Sequence, residues 1–293
     1  MTRTAIPLRT KLAQWFDSAA GPDAPGDYSV DWIRLLPFAG MHAACLLVFV
    51  VGWSPGALLV AFGLYLLRMF ALTGFYHRYF AHRAFKTSRA LQFVFAFIGS
   101  AAAQRGPLWW AAHHRRHHRH SDTDEDAHSP DRRGFWWSHM GWFACPANFK
   151  THLEEVRDFA RYPELRFLDR FDFVAPLTLA LGLYLLGGAQ YLVWGFFVGT
   201  VLLYHVTFCI NSLAHRFGRQ RYATGDTSRN SFLLAFLTMG EGWHNNHHYY
   251  PGAARQGFRW WEIDLTYYVL WAMEKLRLVR DLRPVPAAVV AGR

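Results

Sequence analysis

The sequence predicts an all-α integral membrane protein, in which four transmembrane helices form two hairpins and a cytoplasmic helical cap holds a dense set of histidines. Three observations support this fold class. Apolar residues fill 52% and aromatic residues 17% of the 293 positions, whereas charged residues fill only 18%. Mean hydropathy is nevertheless close to zero, so apolar and polar segments must be segregated along the chain. Most of the 16 histidines lie in the polar segments.

The apolar runs define the predicted domain organisation. The stretch 1–32 reads as a cytoplasmic N-terminal arm, because it contains no apolar run of the kind found in a cleavable signal peptide. Four later runs approach the length of about 20 residues that spans a bilayer as a helix. They lie at about 33–53, 56–76, 172–188 and 190–210. Very short loops separate the members of each pair, which predicts two hairpins within one membrane domain, 33–285, followed by a loose C-terminal tail, 286–293.

The distribution of basic residues predicts the orientation. The segment 77–172 holds fifteen Lys and Arg residues and the segment from residue 211 onward holds eleven, whereas the two hairpin loops hold none. By the positive-inside rule, both segments and both termini are cytoplasmic, as in a multi-pass protein of the inner cell membrane. A fifth apolar stretch, 91–110, would separate the histidines onto opposite faces if it crossed. We therefore interpret it as a helix that lies in the interface or dips into the membrane.

Charge and cysteine content exclude several classes of protein. The formal net charge of +10 indicates an anionic lipid surface or an acidic protein as partner. No nucleic-acid-binding motif accompanies this charge, so we expect no nucleic acid partner. The three cysteines, Cys45, Cys145 and Cys209, form no CxxC pair. This pattern argues against a disulfide framework, a zinc ribbon and a cysteine-held iron–sulfur cluster.

The histidines form groups whose spacing suits metal ligation. Two triplets follow the pattern i, i+3, i+4, which places their side chains on one face of a helix. Neutral imidazole is a common ligand of iron, copper, nickel and zinc. The first pair is five residues apart, so its members need a helix end or a local distortion to converge. The groups are His77 and His82; His114, His117 and His118; Asn211 and His215; and His244, His247 and His248.

The remaining histidines have simpler interpretations. His42 and His205 lie within apolar runs and are expected to be packed core residues. Four others are candidates for solvated loop positions: His120, His128, His139 and His152. Taken alone, the stretch 113–128 also fits a solvated tract or a metal-storage tract. The recurrence of one spacing on one predicted membrane face favours a catalytic metal site instead.

The acidic run "DTDED" is not an EF-hand loop. Gly is missing at the sixth position counted from Asp122, and Arg133 occupies the twelfth position, where an EF-hand has Glu. We expect Asp122, Asp124 and Asp126 either to orient the ligating imidazoles through hydrogen bonds or to face solvent. Glu241 is a further candidate for the orienting role.

The boxes HxxxxH, HRxHH and HxxHH, in this order and together with paired apolar hairpins, resemble the membrane-bound fatty acyl desaturases. The closest similarity is to bacterial enzymes of the Δ9 stearoyl-CoA type. It extends in blocks such as "HRYFAHRAFKT", "NSLAH" and "GEGWHNNHHYYPGAARQGFRWWEIDLTYY" from residue 77 to residue 268. The resemblance implies a di-iron centre in the cap, held by nine histidines and by one Asn through a water molecule. These residues are His77, His82, His114, His117, His118, His215, His244, His247, His248 and Asn211.

Two features depart from the family pattern. His113 precedes the second box, where relatives commonly have Asp. The stretch "FACPANFK" after "SHMGW" lacks the basic run that helps to hold CoA in the animal enzymes. The second departure leaves the acyl carrier open between CoA and a lipid.

The resemblance implies an oxygen-dependent desaturase that introduces a cis double bond, expected at Δ9, into a saturated fatty acyl-CoA. Two iron ions are the implied cofactors and O2 the co-substrate, because hydrogen removal from an unactivated methylene needs a redox metal. Zinc can replace iron in overexpressed protein, since it binds nitrogen ligands more tightly than Fe(II). The chain has no flavin GxGxxG motif. A separate ferredoxin or cytochrome b5-like donor, with its reductase, is therefore the expected partner.

Three alternatives stay open at this point. The chain could act on an acyl-lipid, or it could be a related di-iron lipid hydroxylase. A transition-metal transporter is a more distant alternative. Transporters place their polar ligands within spanning helices, whereas the dense histidine groups of this chain lie outside the apolar runs.

Overall fold

The computed structural model describes residues 6–291, which form a mostly helical protein. Short π- and 3₁₀-helical turns span Trp137–Gly141, Trp142–Ala144, Pro146–Asn148 and Leu153–Val156. Two short strands, β1 (Lys86–Thr87) and β2 (Val279–Arg280), pair antiparallel. The helices are α1 (Leu8–Ala13), α2 (Trp32–Val51), α3 (Pro55–Ala81), α4 (Arg89–Ser100), α5 (Pro107–His120), α6 (Pro130–Arg133), α7 (Arg157–Ala160), α8 (Pro163–Arg170), α9 (Val174–Ser212), α10 (Phe232–Leu237), α11 (His244–Tyr249), α12 (Leu265–Lys275) and α13 (Ala287–Ala291).

Three of the described helices, α2, α3 and α9, are long and apolar enough to cross a membrane. The first two begin at side-chain caps, because Asp31 accepts a hydrogen bond from the backbone N–H of Arg34 and Ser54 accepts one from Ala57. They correspond to the first two predicted runs. Helix α3 continues past the predicted end at residue 76, and its last part, Ala71–Ala81, is wound as a π-helix.

Helix α9 contains both of the remaining predicted runs, and its geometry is broken in the middle. Gly187 and Gly188 have non-helical backbone angles, and Gly188 has a φ of 64°, which glycine adopts without strain. A Cβ placed on Gly195 would lie 3.1 Å from the side chain of Leu183. The two parts of α9 therefore pack against each other across the break. Within residues 6–291 there are thus three membrane-length helices, one of them interrupted, where four separate runs were expected.

The fifth apolar stretch, 91–110, is divided between α4 and the start of α5. Helix α4 has 12 residues, which gives a length of about 18 Å. A bilayer's hydrocarbon core is about 30 Å thick, so α4 is too short to cross it. The segment is therefore not a single spanning helix.

The structure describes most of both ends of the chain. The N-terminal arm packs onto the body of the protein, where the backbone N–H of Ser18 donates to Arg170 and that of Asp31 donates to Ala144. The expected loose tail, 286–293, contains the short helix α13, which buries none of its residues. The first five residues of the arm and the last two of the tail lie outside the described residues.

The core surrounds the π-helical end of α3. Phe75 and Phe80 are fully buried there, and Phe75 stacks on Phe95 of α4 with ring centroids 4.0 Å apart. Leu108, at the start of α5, is buried in the same cluster. Burial of such side chains stabilises a fold by about 1.5–3 kcal/mol each. This packing holds together the ends of α3 and α5, which carry the first two histidine groups.

Candidate metal centre

The π-helical winding of α3 explains how the first histidine pair converges. The backbone N–H of His82 donates to the carbonyl of His77 over 3.1 Å, an i to i+5 hydrogen bond. An α-helix would instead place residues five apart on different faces. A π-helix brings them to the same side, and such windings are frequent at functional sites. The two imidazole centroids lie 4.9 Å apart.

The other histidines come from three separate elements. Pro107 occupies the first turn of α5, where its missing N–H and fixed φ suit a helix start. This helix presents the triplet of the second box, and α11 presents the triplet of the third. His215 follows the end of α9 by one turn. The sequence spacing therefore predicted which histidines share a face, and tertiary packing brings the faces together.

The nine histidines expected as ligands form two clusters. In each cluster, the candidate ligand atoms all lie within 4.8 Å of one another. The first cluster contains His77, His82, His114, His118 and His247, and the second contains His117, His215, His244 and His248. Nε2 atoms face each other, for example His82 and His114 at 2.9 Å and His215 and His244 at 3.1 Å. Each cluster has the donor set and convergence that a transition metal requires.

Carboxylates support four of these imidazoles from behind. The Nδ1 atom of His117 lies 3.0 Å from Asp126, and that of His215 lies 3.2 Å from Asp122. Glu241 accepts a hydrogen bond from Nδ1 of His77. A hydrogen bond at Nδ1 fixes the tautomer so that Nε2 is free to bind a metal. Three of the four carboxylates named from the sequence thus contact expected ligands. Asp124 differs, because its side chain is 93% exposed.

A fourth carboxylate, Asp226, was not anticipated from the sequence. Its Oδ2 lies 2.6 Å from Nδ1 of His248. The same side chain also accepts hydrogen bonds from Thr224 and Ser228, so the loop is folded around it. Asp226 stands in a polar loop, and no periodicity connects it to the third box. Only the folded chain reveals this contact.

Burial keeps most of the clustered imidazoles neutral. Desolvation, followed by the neighbouring imidazoles, holds the pKa of His82, His114, His118 and His247 well below the usual value. His244 behaves in the same way. Neutral imidazole is the form that binds metal. The site therefore does not need to release protons from these five residues before it can be loaded.

The supporting carboxylates are held in the charged form. Burial opposes ionisation of Glu241, but the charges of His77 and Arg78 lower its pKa to about 2. Asp122, Asp126 and Asp226 also have a lowered pKa, because hydrogen bonds and charges from their histidine partners outweigh burial. Negative carboxylates therefore face the imidazoles near neutral pH.

Asn211 occupies a different position from the histidines. Its backbone carbonyl accepts a hydrogen bond from Ser138. The residue lines a cavity beside the histidine clusters, together with His117 and His244 of the four-histidine cluster. This is the cluster with one histidine fewer, where an additional contact through water is most needed.

Two of the four candidates for solvated loop positions are buried. His128 is only 5% exposed, and its ring centroid lies 4.3 Å from that of His117. The loop turns inward because Asp126 accepts the backbone N–H of His128. His139 is also 5% exposed, and its Nδ1 lies 2.9 Å from the hydroxyl of Ser212. The sequence left these positions open, because local composition does not show which loop folds against the site.

Of the other histidines outside the clusters, His113 is buried, at 5% exposure, and the remaining four are closer to the surface. His120 is partly exposed and pairs with Glu125. His152 is also partly exposed and lies 2.8 Å from Arg116. His42 and His205, expected to be core residues, are partly buried, and their Nε2 atoms are 2.9 Å apart.

A cavity of about 520 Å³ leads to both histidine clusters. This volume is in the range of small-molecule binding sites. Its polar lining includes Arg34, Arg105 and Asp172, whereas residues from the clusters, including His77 and His117, border it elsewhere. The remaining wall is mainly apolar and comes in part from the membrane-length helices: Phe38, Met41, Met69, Leu72, Leu177, Ala180 and Phe196. The cavity is suited to an extended apolar molecule that reaches the metal centre.

Comparison with known proteins agrees with this geometry. The family model described as "fatty acid desaturase" matches residues 51–281. A palmitoyl-monogalactosyldiacylglycerol delta-7 desaturase of Arabidopsis thaliana is 40% identical and covers 87% of this chain and 69% of its own length. An acyl-CoA 5-desaturase of Anemone leveillei is 39% identical, covering 99% and 94%. An sn-1 stearoyl-lipid 9-desaturase of Anabaena variabilis is 38% identical, covering 87% and 94%.

Proposed function

The chain belongs to the fatty acid desaturase family, and from this premise we propose that it is an oxygen-dependent di-iron enzyme that introduces a cis double bond into a saturated fatty acyl chain. The observation that carries the proposal is the apolar cavity that ends at two converging histidine clusters. A saturated chain offers no polar group near its middle, so shape and apolar contact must position it. The expected position of the double bond is Δ9.

The donor set fits two iron ions. We propose the nine clustered histidines as direct ligands and Asn211 as a ligand through water. Bound iron, together with O2, would supply an oxidant strong enough to remove hydrogen from a methylene group. The balanced reaction takes one O2, two hydrogens from adjacent methylenes, two electrons from a donor and two protons from solvent, and it forms one double bond and two water molecules.

The residues of the chain have separate tasks in this proposal. Neutral imidazoles hold both ions without offering a thiolate that the reaction would oxidise. The four carboxylates fix the imidazole tautomers. Apolar residues such as Leu72 and Phe196 exclude water and keep the acyl chain extended.

The acyl carrier is either CoA or a lipid. An acyl-CoA is the first substrate that we propose, in line with the relative named as an acyl-CoA desaturase. An acyl-lipid is the second, and one observation favours it. Phe38 and Leu177, on two membrane-length helices, line the cavity, so a lipid tail could enter from the side. Purified protein given labelled stearoyl-CoA or labelled phospholipid in vesicles will distinguish the two carriers.

We propose a separate electron donor of the ferredoxin or cytochrome b5 type, together with its reductase. The net charge of +10 suits an acidic carrier protein. An acidic carrier docked by charge should lose its effect as ionic strength rises. Reconstitution with each carrier at low and high salt tests this partner.

We also propose that both termini and residues 77–172 are cytoplasmic, with the protein in the inner cell membrane. The break in α9 lies beside the α2–α3 loop, because Ser54 donates to Gln190 and Trp194 donates to Gly52. A chain that reverses at this break would place both turns at one end of the bundle and the histidine clusters at the other. A reporter fused after Arg133 should read as cytoplasmic, and an external reading would contradict this orientation.

The function itself is tested by expression in a host that lacks this activity. Gas chromatography of total fatty acids should show new cis monounsaturated chains, and their formation should require O2. A variant with His118→Ala, expressed at the same level, should form none. Hydroxylated chains without alkenes would instead indicate a hydroxylase, and metal uptake into vesicles would indicate a transporter.

A further inference from the structure

Arg68 is a buried cation inside a membrane-length helix. It lies in α3, and only 1% of its surface is exposed. An isolated charge in such a place loses its hydration, so buried arginines are normally paired with carboxylates. Charged residues within spanning segments are rare and mark functional positions. Arg68 does not belong to any of the histidine boxes.

In the part of the chain that the structure describes, the hydrogen-bond partners of Arg68 are all neutral oxygens. Its Nη1 donates to the hydroxyl of Thr200 over 2.6 Å, and its Nη2 donates to the carbonyl of Gly195 over 3.1 Å. Nη1 also reaches the carbonyl of Ala101 at 3.5 Å. One planar guanidinium therefore links α3, two positions of α9 and the residue that follows α4.

The local structure is built to receive this guanidinium. A Cβ placed on Gly199 would lie 2.8 Å from Nη2 of Arg68, so a larger residue at this position would displace the guanidinium. Ala101 follows the C-terminus of α4, where helix carbonyls lack partners and carry the negative end of the helix dipole. The partial negative charge of that helix end takes the place of a carboxylate.

The segment that Arg68 holds, residues 101–105, forms part of the cavity wall. Two of its residues have left-handed backbone conformations, with φ of 52° at Ala103 and 71° at Arg105. Residues other than glycine adopt this conformation only where surrounding contacts enforce it. A second hydrogen bond also holds this segment: the hydroxyl of Tyr204 donates to the carbonyl of Ala103 over 2.9 Å. Helix α5, with the second histidine triplet, starts directly after this segment.

We propose that Arg68 is a positioning residue for the acyl substrate. Its guanidinium holds the strained segment 101–105 in place, and this segment sets how far the acyl chain enters and which pair of methylenes faces the metal centre. The inference rests on the proposed desaturase function. Arg68 itself does not border the cavity, so its influence reaches the substrate through the backbone at Ala101.

The test compares the position of the double bond among variants. Arg68→Met keeps the length of the side chain but removes its charge and donors. Thr200→Val removes one acceptor at nearly constant shape, and Thr200→Ser is the matched control that keeps the hydroxyl. Products are converted to dimethyl disulfide adducts and located by mass spectrometry, while metal content and total product are measured on the same samples.

We expect wild-type protein and Thr200→Ser to give the same dominant isomer. Thr200→Val should raise the fraction of displaced isomers severalfold, and Arg68→Met should raise it further, with the metal content of Thr200→Val unchanged. A variant that lost product and metal together but kept the wild-type isomer ratio would show a purely structural role and overturn the inference. If the Arg68→Met protein does not accumulate in the host, the comparison of Thr200→Val with Thr200→Ser decides whether the inference holds. Absence of any alkene from wild-type protein would instead refute the proposed function.

Discussion

Replacement of Asp226 by Asn tests whether carboxylates behind the histidines control the metal centre. In the native protein, one oxygen of Asp226 accepts from Nδ1 of His248, and the other accepts from Thr224 and Ser228. In Asp226→Asn, the amide oxygen will stay with the hydroxyl donors, so the amide NH2 will face His248. Two donors cannot share one hydrogen bond. His248 must then carry its proton on Nε2, the atom that should bind metal.

The expected magnitude follows from this forced tautomer. Loss of a residue that orients a metal ligand typically costs about 10–100-fold in affinity or activity, which corresponds to about 1.4–2.8 kcal/mol. We expect Asp226→Asn to lose at least tenfold in product formation and to retain less metal in the four-histidine cluster. Iron per chain and alkene yield are measured on the purified protein. Asp124→Asn is the control, because Asp124 lies at an exposed position in the acidic run 122–126. Retention of full metal content and wild-type rate by Asp226→Asn would refute this reasoning.

Three further predictions address ligands, metal identity and pH. His215→Ala should lose essentially all activity and part of the metal. Asn211→Ala should weaken activity with a smaller loss of metal, whereas His120→Ala should keep most of both. Full retention of activity and metal by His215→Ala would contradict the nine-histidine assignment. Protein loaded only with zinc should be folded but inactive, and full activity without iron would exclude the redox proposal. Five of the clustered imidazoles, those of His82, His114, His118, His244 and His247, have a lowered pKa when folded, so at these positions the unfolded chain binds more protons below about pH 6.5. The melting temperature of metal-free protein should therefore fall between pH 7 and pH 5, and a constant value would contradict this sign.

Local periodicity explains why the convergence of the histidines could be predicted. Residues at i, i+3 and i+4 on a helix share a face whatever the rest of the chain does. The need for a local distortion between His77 and His82 followed from their spacing, and the π-helix supplies it. The membrane-length apolar segments also followed from composition, although helix α9 joins two of them across a break.

Contacts between distant segments explain what could not be predicted. Arg68 meets Thr200, which lies 132 positions away in the sequence. Asp226 meets His248 across 22 positions without any periodic relation. His128 looked like a solvated loop residue, but the loop folds inward around Asp126. Such placements depend on packing that no local pattern encodes.

The four carboxylates behind the histidines also determine the electrostatic balance of the centre. Imidazole ligands are neutral, so two divalent cations would bring four positive charges into a buried site. Four negative charges lie next to the imidazoles, on the carboxylates of Glu241, Asp126, Asp122 and Asp226. Arg78, which contacts Glu241, is balanced separately by Asp264. Fe(II) and Zn(II) satisfy this electroneutrality equally well. Charge therefore gives the site no means of selecting iron. Because nitrogen donors favour zinc over Fe(II), loading with iron depends on the supply of each metal in the cell that makes the protein.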